Sequence, residues 1–97
     1  MMRQDRFTEQ AQAVLQASQE MVRQQRHTQW DVEHVLLALV QTRDGLARDV
    51  LQKMNVEPQA VAAELAGYLE RAPKAQFEVV QIYTTPRIVR MLEAANA

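Results

Sequence analysis

Glu33, His27, His34, Thr8 and Thr85 are the residues of this 97-residue chain whose types and positions together first suggest chemistry. Glu33 and His34 stand side by side before the apolar run Val35 to Val40. A carboxylate at a helix start can contact a ligand, or it can simply oppose the positive end of the helix dipole. Both readings of Glu33 stay open. His34 reads as a packed histidine hydrogen-bonded to a neighbour. Catalysis would need a nucleophile or a second base beside it, and the sequence offers no such arrangement. His27 reads as a surface residue at a helix end. The two histidines lie seven positions apart, so they miss the i, i+4 spacing that pairs metal ligands on one helix face. Thr8 and Thr85 read as helix caps first, and a cap can also touch a ligand.

The chain has no cysteine, which removes disulfides, thiol nucleophiles and cysteine-based zinc sites together. It has no Gly-x-x-x-x-Gly-Lys-Ser/Thr phosphate loop. The expectation is a non-enzyme with no catalytic residue, cofactor or metal. A net charge of -1 gives no basic excess for nucleic acid. No apolar run reaches the roughly 18 residues of a membrane span. Met1 to Arg6 leads into an amphipathic stretch rather than a signal-peptide apolar segment. A cytoplasmic domain with no membrane or nucleic-acid partner is expected.

Helices must position these groups. Only two glycines and three prolines interrupt a chain that is 47% hydrophobic and 5% aromatic, and its abundant Ala, Leu, Gln and Glu favour helix. The first helix is expected to start at Thr8 as N-cap, with Val14, Leu15, Ser18, Met21 and Val22 on one face, and to fade near Gln25–Thr28. Asp31 caps the second, whose stripe of Val32, Val35, Leu36, Leu39 and Val40, widened by Leu37 and Ala38, makes it the central buried helix. Trp30 packs back on it as a staple. Thr42–Gly45 reads as a turn with Gly45 open to positive φ. A third helix over Leu46–Met54 turns Leu46, Val50, Leu51 and Met54 inward and stops at a left-handed Asn55. Pro58 opens a fourth, with Val61, Leu65, Tyr68 and Leu69 buried, ending before Pro73. Ala72–Gln76 is a linker, and Phe77–Tyr83 favours extended backbone or a short strand. Thr85-Pro86 starts a last helix carrying Ile88, Val89, Met91 and Leu92.

Thr8-Glu9-Gln10-Ala11 through Val14-Leu15 is echoed by Thr85-Pro86-Arg87-Ile88 through Met91-Leu92 at an offset of 77 positions. Such self-similarity marks duplicated helical units. Arg6-Phe7-Thr8-Glu9-Gln10-Ala11, Val32-Glu33-His34-Val35-Leu36-Leu37-Ala38-Leu39, Gly45-Leu46-Ala47 with Val50-Leu51, and Tyr83-Thr84-Thr85-Pro86-Arg87 together resemble the Clp N-terminal repeat of the Clp-family AAA+ unfoldases. Val32 stands where the family more often has a small or hydroxyl residue, and Asn55 where it has glycine.

The resemblance implies an all-α bundle of about five helices, with residues 1–72 as one four-helix repeat, 73–84 as linker and 85–97 as the first helix of an incomplete second repeat. It implies a module that captures unfolded, aggregated or arginine-phosphorylated substrate proteins, or adaptor proteins, for an AAA+ ring. By the same resemblance Glu33 would take a guanidinium group, and Thr8 and Thr85 would hold substrate near the helix starts. The alternative is an assembly element. The stripe Ile88, Val89, Met91, Leu92 needs a partner, which is either the first repeat or a second copy in a homodimer.

Overall fold

The computed structural model describes residues 2–42, 45–77 and 81–96. Its elements are α1 (Met2–Gln24), β1 (Gln29–Trp30), α2 (Val32–Gln41), α3 (Leu46–Lys53), α4 (Pro58–Arg71), β2 (Tyr83–Thr84) and α5 (Pro86–Asn96). The fold is all-α, and the two short strands only fasten one connection.

α1 runs helical through Thr8 from Met2, so Thr8 is not its N-cap. Between Met2 and Thr8 the sequence has neither glycine nor proline to stop a helix. The far end of α1 closes as a Schellman turn. Arg26 takes φ 58, its N–H donates to Arg23 O at 3.0 Å, and the His27 N–H reaches back to Val22 O at 2.9 Å. α3 ends the same way around Asn55 at φ 61, with Asn55 N–H on Gln52 O at 3.0 Å and Val56 N–H on Leu51 O at 2.8 Å. Gly45 does not need its freedom. It caps α3 at φ -83, while residues 43 and 44 of the expected turn lie outside the described residues.

α2 is the central helix, packed against α1 and α4 and touching α3 and α5. It buries His34, Val35, Leu37, Ala38 and Val40. The expected stripe is rotated in part: Leu36 and Leu39 are exposed. The core joins Val14 and Val22 of α1, Trp30, Val35 and Ala38 of the α2 region and Ile88 of α5, with Leu15, Met21, Val32, Ile82, Met91 and Leu92 packed on it. Each such large side chain removed from water contributes about 1.5–3 kcal/mol. Trp30 sits in this core beside Val35, and its indole N–H donates to Ser18 Oγ of α1 at 2.9 Å. Ser18 in turn donates to Leu15 O at 2.7 Å, so both buried polar groups are satisfied.

α3 corrects an expectation. Leu46 and Met54 are largely exposed and Val50 is nearly half so, leaving Leu51 only partly covered. Eight residues against the side of two longer helices bury little. In α4, Leu69 is buried and Val61 and Leu65 are half-buried, but Tyr68 is exposed.

The segment between α1 and α2 is the seam of the molecule. Alternate carbonyls along it take amides from later in the chain: Arg26 O from Ala75 at 2.8 Å, Thr28 O from Tyr83 at 2.9 Å, Trp30 O from Thr85 at 3.2 Å. The last two belong to the parallel pairing of Gln29 with Tyr83 and Trp30 with Thr84. Of the extended segment expected over Phe77–Tyr83, only Tyr83 joins a strand, together with Thr84; residues 78–80 lie outside the described residues. Parallel strands that both lead into helices must start those helices side by side. Here the starts of α2 and α5 become neighbours.

Candidate functional site

At these paired starts the caps are bonded to one another. Asp31 is the N-cap of α2, with an extended backbone and Oδ1 accepting the Val32 N–H at 2.7 Å. Thr85 occupies the same position for α5, where its Oγ accepts the Ile88 N–H at 3.2 Å. The Thr85 hydroxyl then donates to Asp31 Oδ1 at 2.7 Å. Pro86 follows at the first helical position, where a missing N–H costs nothing.

Arg87 closes the cluster. Its Nη2 lies 2.9 Å from Asp31 Oδ2 and its Nε 3.3 Å from Asp31 Oδ1, a two-pronged grip. The same Nη2 donates to Glu33 Oε1. The Arg87 side chain is half exposed, and those of Asp31 and Glu33 are about one-quarter and one-fifth exposed. Burial raises the Asp31 carboxyl, but the bonds from Arg87, Thr85 and the Val32 N–H outweigh it and hold Asp31 below the usual carboxylate range. The two carboxylates raise Arg87 further above its ordinary value.

Glu33 and Thr85 therefore meet in one cluster, while Thr8 lies within α1. The sequence marks Asp31 as a cap alone and singles out no role for Arg87. Its signal was present: a cation in the first turn of a helix opposes the dipole, so Arg87 after Thr85-Pro86 asked for a carboxylate partner. The stripe on α5 finds its partner within the chain. Ile88 is fully buried, Met91 and Leu92 are half-buried on the core, and only Val89 stays open.

Beneath this surface lies a polar chain through the interior. His27 is 3% exposed, as is His34, so the surface position expected for His27 is wrong. The Schellman turn at Arg26 reverses the chain and points the ring inward. His27 Nδ1 lies 2.9 Å from His34 Nε2, and the rings meet edge to face with centroids 5.1 Å apart. A reversed segment between α1 and α2, not a continuous helix, brings the two rings together, so the i, i+4 rule for one helix face does not govern them. His27 Nε2 lies 2.9 Å from Leu69 O at the end of α4. The Asp31 N–H donates to His34 Nδ1 at 3.1 Å, the return half of the α2 capping box. Burial first, and then the facing His27, lower His34; burial also leads in lowering His27.

Among the described residues no group of His, Cys, Asp and Glu is arranged to hold a metal, and no helix is long and apolar enough to cross a membrane. A shallow groove of about 370 Å³, lined by Val40, Arg48, Pro58 and Ala62 among others, lies at the far end of α2.

Comparison with known proteins agrees with this architecture. The family model of the Clp repeat N-terminal domain matches residues 6–97. The chain is 36% identical over 92 residues to chaperone protein ClpB 1 of Synechocystis sp., covering 95% of this chain and 10% of that protein. It is 37% identical over 89 residues to the ATP-dependent Clp protease ATP-binding subunit ClpA homolog of Porphyra purpurea, covering 92% and 11%. It is 29% identical over 95 residues to chaperone protein ClpB of Bacillus cereus, covering 95% and 11%. The chain thus spans about a tenth of the length of these relatives. The match over nearly every residue and the all-α bundle agree: the chain belongs to the Clp repeat N-terminal domain family.

Proposed function

We propose that this chain is a binding module that captures substrate or adaptor proteins on the face formed by the starts of α2 and α5, for an AAA+ ring that does the mechanical work. The observation that carries this reading is the joined pair of helix starts, where carboxylates, a hydroxyl and a guanidinium share one partly exposed surface. Helix starts supply N–H groups and positive potential for anionic groups. Glu33 and Asp31 supply acceptors for guanidinium or ammonium groups. A ligand with charges of both signs, such as an arginine-phosphorylated or mixed-charge unfolded segment, suits such a surface. Glu33 is the central contact, with Thr85 as a supporting one.

Arg87 shapes that contact. It holds Glu33 Oε1 from within the chain, so an incoming guanidinium must share or displace it. Thr85 already uses its proton on Asp31 and one lone pair on Ile88 N–H; a ligand can reach only the remaining lone pair. Binding here involves recognition without bond making, in keeping with the relatives' names as chaperones and an ATP-binding protease subunit.

Adding unlabelled reduced casein to the isotope-labelled chain tests the location. The reading expects the largest amide shifts at Asp31 to Glu33 and Thr85 to Arg87. Shifts confined to the groove lined by Val40, Arg48 and Pro58 would place capture at the other end of α2 and overturn it.

A further inference from the structure

Hydrogen-bond chemistry fixes the protons on the buried histidine pair. Leu69 O is a carbonyl and can only accept, so His27 Nε2 carries a proton. The Asp31 amide can only donate, so His34 Nδ1 carries none. A neutral His34 then holds its proton on Nε2 and gives it to the bare Nδ1 of His27. The chain reads Asp31 N–H to His34, His34 to His27, His27 to Leu69 O: three bonds and two ring protons, each with one place to be.

A third proton has no place. On His34 Nδ1 it faces the Asp31 N–H. On His27 Nδ1 it faces the His34 Nε2–H. If His34 shifts its own proton to Nδ1 to make room, the conflict returns at Asp31. Every charged state therefore breaks at least one of the three bonds at a site 3% exposed, where an unmatched donor is costly.

We infer that the His27–His34 pair is an acid-sensitive latch that fastens the first turn of α2, and with it Asp31 and Glu33, to the end of α4. The latch is closed when both rings are neutral and opens when either takes up a proton. The charged groups around it do not rescue the charged state. Glu70 and Lys74, from the end of α4 and the segment after it, act on His27 in opposite senses. Asp31 and Glu33, at the start of α2, favour a charged His34, but Arg87 from α5 engages both carboxylates. Burial outweighs them and lowers both rings.

The direction of the pH effect follows. A histidine lowered in the folded state binds its proton more readily when unfolded. Its contribution to stability is complete above the ordinary value of 6.5 and is lost as pH falls toward the lowered folded value. Each ring that the fold keeps neutral raises the unfolding equilibrium constant by up to about tenfold per pH unit below 6.5.

The test needs no ligand and is independent of the binding reading. Long-range nitrogen–proton spectra of the labelled chain at pH 7.5 should show both rings neutral and protonated on Nε2. On acidification both should titrate below 6.5, and the amides of Asp31, Glu33 and Leu69 should move with the same midpoint. A proton on Nδ1 of either ring at pH 7.5, or titration of both at or above 6.5, overturns the inference. Urea unfolding between pH 7 and pH 5 provides the second arm. His34→Gln removes one titrating ring but keeps an oxygen for the Asp31 N–H, as glutamine does in capping boxes. The variant should lose up to about tenfold per pH unit of the parent's acid sensitivity; an unchanged dependence contradicts the latch. If the variant does not fold, the spectra of the parent decide alone.

Discussion

The Thr85 hydroxyl donates to Asp31 Oδ1 at 2.7 Å across 54 positions of sequence, so the N-caps of α2 and α5 hold each other as well as their own helices. Thr85→Ala removes the acceptor of the Ile88 N–H and the donor to Asp31 in one step. The expected loss is about 1–2 kcal/mol by urea unfolding, the upper part of the range for a lost cap. Thr85→Ser should keep most of the stability, because serine retains the hydroxyl.

Arg87→Ala should destabilise the chain less than Thr85→Ala, because the guanidinium is half exposed and solvent screens its pairs. Its effect should shrink as salt rises from 0.05 to about 1 M, as screening shortens to a few ångströms. Arg87→Lys should behave like the alanine variant more than the parent, since an ammonium cannot grip both oxygens of Asp31 while touching Glu33. Melting curves at the two salt concentrations check both statements.

Ser18→Ala leaves the Trp30 indole N–H without its acceptor in a region where Ser18 is fully buried. The expected cost is about 1–3 kcal/mol, the penalty of a stranded buried donor. Trp30 fluorescence and urea unfolding read it, and a variant as stable as the parent would show that the indole finds another partner.

Ile88→Ala should cost about 2–5 kcal/mol, because Ile88 is fully buried in the core shared by α1 and α2. Val89→Ala, on the open side of the same helix, should stay within about 0.5 kcal/mol of the parent. The contrast tests whether α5 is built into the bundle or merely follows it.

Much of this is legible in the sequence alone. Asp31, Pro58 and Thr85-Pro86 announce three helix starts because caps act locally, through groups three residues away. Asn55 announces a stop for the same reason. The stripe of α2 marked it as central, though Leu36 and Leu39 lie on the open side. The misses share a cause: contacts made between distant segments. His27 can stay buried because Leu69 O, 42 positions later, accepts a hydrogen bond from its ring. Arg87 reaches Glu33 across 54 positions. α3 misled for the opposite reason: its apolar face promised burial, but too little of the bundle lies over it to cover Leu46 and Met54. Thr8 misled because a good cap residue does not begin a helix when the residues before it also favour helix.

Fluorescence anisotropy of labelled, loosely folded casein against the parent and Glu33→Ala tests the capture reading most directly, with circular dichroism confirming that both are folded. The account predicts that the parent binds, that free phosphoarginine competes, and that Glu33→Ala weakens binding by roughly tenfold or more, the worth of one charged hydrogen bond. Equal binding by parent and variant, or none by the folded parent, would contradict capture at the joined starts of α2 and α5.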